Sequence, residues 1–424
     1  MQSTPRVLII AEAANPEWVS VPLVGWSLAT AIAAKCDAHI VTQIRNRDAF
    51  LRAGLVEGKD FTAIDSEAFA RPLWAIGEKL RMGQGKGWTT LQLINALGYP
   101  YFEHLIWKTF GSAIQAGEYD IVHRVTPLSP TISSPLAAKC ARAGVPFVLG
   151  PLNGGVPWPK GFDAERRRER EWLSYLRSAY KALPGRKATQ RHASAILTGS
   201  RHTASEIASQ HQDKCIYMPE NGIDPKRFSE RAEAPKTGPL RACFVGRLVP
   251  YKGPDMLLEA ADPFLKSGAL EIEMIGDGPM LEELKAVHTT GVNWRGWVAH
   301  EEVQDILKTC HLLSFPSIRE FGGGVVLEAM ALGVPPLIVD YAGPGELVCD
   351  KWGIKVPIGS RDEIITGFRN ALSDLCKDRS ALEAIGNAAA VRVQSHFTWE
   401  RKAHQITQVY GWIAKGGAAP DFFS

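Results

Sequence analysis

One stretch pairs two carboxylates with a glycine-rich turn: Phe315-Pro316-Ser317-Ile318-Arg319-Glu320-Phe321-Gly322-Gly323-Gly324-Val325-Val326-Leu327-Glu328. An apolar run enters the turn and a helical segment leaves it. The free N–H groups and positive dipole end of that helix favour an anion such as phosphate. Glu320 precedes the turn and Glu328 sits in the first turns of the helix. This spacing allows Glu320 to face a sugar while Glu328 accepts both hydroxyls of a ribose diol. A loop carboxylate and a helix-dipole partner would explain the two acids, but not three consecutive glycines. Upstream, Gly246-Arg247-Leu248-Val249-Pro250-Tyr251-Lys252-Gly253 places two cations in a glycine-flanked loop. The Arg247 fork can hold diphosphate oxygens in bidentate fashion, with Lys252 as a point charge. Two solvated surface charges would have the same spacing. Gly276-Asp277-Gly278-Pro279 is a turn after an apolar run, which suits either a ligand-binding edge or a tight turn.

Several other chemistries fail on the same residues. A dinucleotide site needs G-x-G-x-x-G straight after its first strand. The run after Val7–Ile10 holds a single glycine, Gly25. The seven cysteines are never closer than 27 residues, so no C-x-x-C pattern exists, and they read as reduced thiols. With 48 Lys plus Arg against 45 Asp plus Glu, the net charge of +3 gives no whole-protein case for nucleic acid. The opening residues contain an apolar run of only four before Glu12, which predicts no signal peptide. Trp18 to Ala34 is uncharged for 17 residues but contains Pro22, Gly25 and two serines, and reads as a buried helix.

The elements that must hold these groups follow from short apolar runs separated by helix-length amphipathic stretches, the pattern of parallel sheets wrapped by helices. The expected strands are Val7–Ile10, Ala38–Thr42, Tyr119–His123, Pro146–Leu149, Ala195–Thr198 and Cys215–Met218. A second series follows: Leu240–Val245, Glu271–Ile275, His311–Phe315 and Pro336–Val339. At 424 residues, two doubly wound α/β domains in series fit better than one large sheet. The expected organisation is an N-terminal domain over 1–228, a linker over the polar stretch 229–239, a second domain over 240–397 and a C-terminal helix in 398–424.

The motifs together resemble a family, the retaining GT-B-fold glycosyltransferases of family four, also known as glycosyl transferases group 1. In order they are Pro219-x-Asn221-Gly222-Ile223-Asp224 with Phe228, Gly246-Arg247 with Lys252-Gly253, Gly276-Asp277-Gly278-Pro279, Phe315-Pro316-Ser317 with Glu320 and Glu328, and Phe397-Thr398-Trp399. The resemblance implies two Rossmann-like domains facing across a cleft. It also implies transfer of a sugar from a UDP-, GDP- or ADP-sugar donor to a hydroxyl acceptor, without a bound metal or other cofactor; no Asp-x-Asp motif is present. Carried over, Arg247 and Lys252 bind the donor diphosphate, and Glu328 the ribose. Glu320 with the amides of Phe321, Gly322 and Gly323 holds the donor sugar and phosphate. Gly25, Gly246 and Gly276 line the donor, and the segment around Trp297 contacts the base. The C-terminal helix would pack back on the N-terminal domain. A nucleotide-sugar epimerase and a non-catalytic nucleotide-sugar-binding protein are the alternatives; the completeness of the four charged positions argues against both.

Two departures from the family pattern bear on the acceptor side. Only Gly25 stands where paired glycines are usual, and Asn153 lies where many members have a histidine. Asn153 forms hydrogen bonds but carries no proton near neutral pH. His123, at a strand end, is either a site residue or a core histidine. Trp158, in the Pro/Gly/Trp loop Asn153–Phe162, offers a ring to a sugar face or to packing, as does Trp88 in the stretch Gly83–Phe102. The implied acceptor is a glycan, a lipid-linked saccharide or a small molecule, in polysaccharide or glycoconjugate synthesis in a bacterial cytoplasm. Residues 160–191 carry ten basic and four acidic residues, with Trp172, Leu176, Tyr180 and Leu183 near helical spacing. The segment reads as a solvated cover helix or as a peripheral contact with the inner face of an anionic membrane.

Overall fold

The first apolar run forms β1 (Arg6–Ala11), whose residues alternate between two cores. Val7, Ile9 and Ala11 enter one, and Leu8 and Ile10 enter the other, so the strand is buried on both faces. The computed structural model of the chain describes residues 4–68, 88–168 and 185–423. Around β1 lie β2 (Asp37–Gln43), β3 (Phe61–Ile64), β4 (Ile121–Thr126), β5 (Phe147–Leu152), β6 (Ala195–Thr198) and β7 (Cys215–Tyr217). All pair in parallel in the order β3-β2-β1-β4-β5-β6-β7.

A second sheet contains β8 (Leu240–Val245), β9 (Leu270–Ile275), β10 (Val292–Gly296), β11 (Leu312–Phe315), β12 (Pro336–Asp340) and β13 (Ile354–Pro357). Its parallel order is β10-β9-β8-β11-β12-β13. In both sheets the order reverses beside the first strand, between β1 and β4 and between β8 and β11. Open α/β sheets bind ligands outside the carboxyl ends of their strands at such a reversal.

The chain divides into two compact units: Met1–Gly155, Glu171–Glu220 and Trp399–Ser424 form the first, and Val156–Arg170 with Asn221–Thr398 the second. The expected linker 229–239 is therefore inside the second unit. Its backbone is tied down there, Ala232 N–H donating to the Leu332 carbonyl at 2.8 Å and Glu233 N–H to that of Lys308 at 2.9 Å. Polar composition marked an exposed crossing, not a boundary. The chain leaves the first unit at Glu220, eight residues earlier than expected from sequence.

The uncharged run after Glu17 becomes the helix Val21–Ala33, with a proline in its first turn where a missing N–H costs nothing. Its buried residues are Gly25, Leu28, Ala29 and Ile32, while Trp18 is 45% exposed ahead of it. The C-terminal helix Trp399–Lys415 buries Ala403, Ile406, Val409 and Tyr410 in the same core, at helical spacing. Among the described residues no helix is long and apolar enough to cross a membrane.

Candidate functional site

The ends of β8 and β9 meet backbone to backbone. Gly246 has φ 156° and Gly276 φ 138°, and a Cβ on Gly276 would stand 1.9 Å from the Gly246 carbonyl oxygen. Only glycine fits there. Leu248 N–H then donates to the Asp277 carbonyl at 2.9 Å, so the Gly276-Asp277-Gly278 turn supports the loop that carries Arg247. That loop closes in a short 3-10 turn, Pro250–Lys252, ended by Gly253 at φ 70°. The Lys252 ammonium lies 5.0 Å from the centre of the Phe315 ring and donates to Glu320 Oε2. Arg247 is exposed, and its guanidinium has no hydrogen bond or ion pair among the described residues.

From β11 the chain runs into the second half of the site. Ser317 Oγ and Ile318 N–H both donate to the Tyr251 carbonyl, fastening this turn to the Lys252 loop. Gly323, at φ 57°, starts the helix Gly324–Ala331, whose first amides have no acceptor within the helix. The short helix Ala342–Leu347 after β12 backs this turn: Gly343 N–H donates to the Glu320 carbonyl at 3.2 Å, and a Cβ on Gly343 would lie 1.8 Å from the Phe321 oxygen. Beside it Ala342 holds φ 55°, a conformation that glycine adopts more readily. No local pattern in the sequence marks the helix Ala342–Leu347, because its glycines alternate with other residues.

Glu328 has a partner invisible in sequence. His300, at the start of the helix His300–Leu307 after β10, has Nε2 at 2.8 Å from Glu328 Oε1, and its Nδ1 faces Arg227 Nη1 at 3.0 Å. A guanidinium has only donors, so Nδ1 accepts, and Nε2 carries the proton donated to the carboxylate. Arg227 Nη2 also donates to the His300 carbonyl. Trp297, three residues earlier, is 78% exposed.

Residues 316–328 and 246–252 therefore converge at the carboxyl ends of β8 and β11, where the strand order reverses. Residues 225–390 match the family model of the glycosyl transferases group 1. The second unit is a group 1 glycosyltransferase domain. An uncharacterized glycosyltransferase of Methanocaldococcus jannaschii is 27% identical over 347 residues, 75% of this chain and 83% of that protein. The sucrose-phosphate synthase of Thermosynechococcus elongatus superposes with a TM-score of 0.63 at 16% identity, covering 97% of this chain and 100% of that one. HepE of Anabaena, solved in complex with UDP, superposes with a TM-score of 0.61 at 15% identity, covering 96% and 99%. The fold is that of the GT-B glycosyltransferases.

Trp158 belongs to the second unit rather than to the first. Its ring lies 6.4 Å from that of Tyr251, edge to face, and the Arg319 guanidinium sits 5.2 Å over it. Arg319 Nε also donates to the Val156 carbonyl at 3.2 Å, and the Tyr341 hydroxyl to that of Pro157 at 3.0 Å. The segment therefore braces the turns bearing Lys252 and Glu320. A cation and a ring hold the indole that the sequence suggested for an acceptor sugar.

Three expected residues of the first unit have structural partners. His123 is fully buried: Nε2 donates to the Gly150 carbonyl at 2.7 Å, and the Tyr410 hydroxyl donates to Nδ1 at 2.7 Å. Burial pushes its pKa down to about 4, with the Gly150 bond opposing it. It is a neutral core histidine, which corrects its placement on the acceptor side. Asn153 donates from Nδ2 to Glu220 Oε1 and accepts the Gly155 N–H at 3.1 Å. Gly25 lies within the helix Val21–Ala33, where a Cβ would stand 2.1 Å from the Ala13 carbonyl oxygen. It allows helix and loop to touch, and no glycine pair is needed for that.

Lys402, unremarked in sequence, is buried and donates to the Pro219 carbonyl; burial pushes its pKa down to about 7, opposed by the nearby Glu220. Of the basic stretch 160–191, residues 169–184, with all four apolar positions, lie outside the described residues. So do Gly83–Gly87, while Trp88 begins a helix to Gln115.

Proposed function

We propose that the chain transfers a sugar, with retention at the anomeric carbon, from a nucleotide-diphosphate sugar to a hydroxyl acceptor. One observation carries the reading. At the reversal between β8 and β11, an exposed Arg247 shares the strand ends with a Lys252–Glu320 pair, and Glu328 stands in the helix that follows. Arg247 and Lys252 would hold the diphosphate, and the amides of Phe321 to Gly323 its terminal phosphate. Glu320 would meet the donor sugar, exchanging part of its contact with Lys252 for sugar hydroxyls. Glu328 would accept from the ribose diol. HepE of Anabaena, of the same fold and solved with UDP, supports UDP as the first nucleotide to try.

In the transfer itself, the acceptor oxygen attacks C1 on the face that the leaving group departs from. The C1–O bond to phosphate breaks, the C1–O bond to the acceptor forms, and the acceptor proton passes to a phosphate oxygen. This route requires no protein base, only orientation and positive charge around the diphosphate, which Arg247, Lys252 and the helix N-terminus supply without a metal. The acceptor is a glycan, lipid-linked saccharide or small molecule in glycoconjugate synthesis.

Turnover of UDP-, GDP- and ADP-sugars, read as slow hydrolysis and then as transfer, tests the assignment. Arg247→Ala and Glu328→Ala are each expected to lower turnover by about 10²-fold. Wild-type rates in either folded variant would contradict it.

A further inference from the structure

We infer that His300 is the positioning residue for Glu328, and that together with Arg227 it sets how strongly the site discriminates ribose from 2′-deoxyribose. The inference rests on the reading of Glu328 as the ribose acceptor. A carboxylate on a helix can rotate about its last bonds and has about four acceptor positions. To take two vicinal hydroxyls at once it must be held in one orientation.

The 2.8 Å contact from His300 Nε2 to Oε1 occupies one acceptor position and fixes the carboxylate plane. Oε2 and the remaining lone pair of Oε1 stay available to a diol. Arg227 makes the arrangement one-way. Because Nη1 can only donate to Nδ1, at 3.0 Å, the ring cannot present a bare Nε2 to the carboxylate. The second bond, from Nη2 to the His300 carbonyl, ties the same guanidinium to the backbone of that residue. Arg227, His300 and Glu328 thus form a file from the segment following Asn221, through the turn after β10, to the helix Gly324–Ala331. No other described hydrogen bond or ion pair reaches the Glu328 side chain.

Calorimetric titration of UDP, GDP and ADP, each against its 2′-deoxy form, tests this through the ratio of the two affinities. A loosened fold would weaken both forms alike and leave the ratio unchanged. The ratio is expected to fall about five- to tenfold in His300→Phe, which removes the donor, and to be largely kept in His300→Gln, whose amide supplies an N–H. Arg227→Leu, which frees the tautomer, should lower it at least about twofold and serves as the test if His300→Phe does not fold. An unchanged ratio in folded His300→Phe or Arg227→Leu would overturn the proposal, as would an equal fall in His300→Gln. Glu328→Ala separates the two readings: a wild-type ratio there, or no binding of any of the three nucleotides to the unmodified protein, overturns the donor-site assignment itself.

Discussion

At the level of single residues, the buried and the exposed ionisable groups divide the work. His123 holds two buried hydrogen bonds as a neutral ring, and its folded pKa of about 4 lies below the 6.5 of the unfolded chain. The unfolded chain therefore binds more protons between these values, and stability rises with pH there. As pH falls from 6.5 to 4, this group alone should withdraw about 3 kcal/mol, with no further loss from it at lower pH. Thermal unfolding across that range should show a shallower acid slope in His123→Gln than in the unmodified protein; parallel slopes would contradict the assignment. The contrast with Arg247, Lys252, Glu320 and Glu328 explains what could be read in the sequence. The first three lie within glycine-marked loops and Glu328 in the helix that leaves one of them, where residue type and spacing carry the information. Whether His123 faces a ligand or the core depends on Tyr410, 287 residues away, and His300 reaches Glu328 across 28. No local pattern encodes either meeting.

At the level of elements, each sheet buries near-continuous apolar strands, and these were legible as runs. Ala195–Thr198 and Leu240–Val245 match their expected bounds. The short β3 (FTAI) and β13 (IKVP) were not foreseen, because four residues broken by a threonine or a lysine carry little hydrophobic signal. Val156, Pro157 and Trp158 were assigned by chain order to the first half, yet they meet Arg319, Tyr341 and Tyr251. Chain order is a poor guide where a proline-rich loop crosses between units. The C-terminal helix makes the reverse crossing, and its stripe completes the core beside Leu28, Ala29 and Ile32. Ile406, Val409 and Tyr410 each contribute roughly 1.5–3 kcal/mol by burial, together a large share of the 5–15 kcal/mol that holds a typical domain. Truncation after Thr398 should therefore abolish the cooperative unfolding of the first unit, followed by circular dichroism. A truncated chain that keeps the full transition would show that the helix is dispensable.

At the level of the whole molecule, two doubly wound α/β halves were legible from the restart of the apolar pattern near Leu240, while the order of strands within each sheet was not. The family motifs placed the second as the nucleotide-sugar half. Groups able to hold an anion gather at the strand reversal of that half, because loop amides, a helix N-terminus and cationic side chains all emerge at the same edge. In the proposed function, Arg247 and Lys252 grip a diphosphate there. The most direct measurement compares binding of UDP with binding of uridine, by calorimetry, in the unmodified protein and in Arg247→Ala and Lys252→Ala, with GDP and guanosine or ADP and adenosine substituted if those bind instead. Each substitution is expected to weaken the diphosphate about 10- to 100-fold and to leave the nucleoside nearly unchanged. Equal affinity for the diphosphate in folded variants and unmodified protein would contradict it.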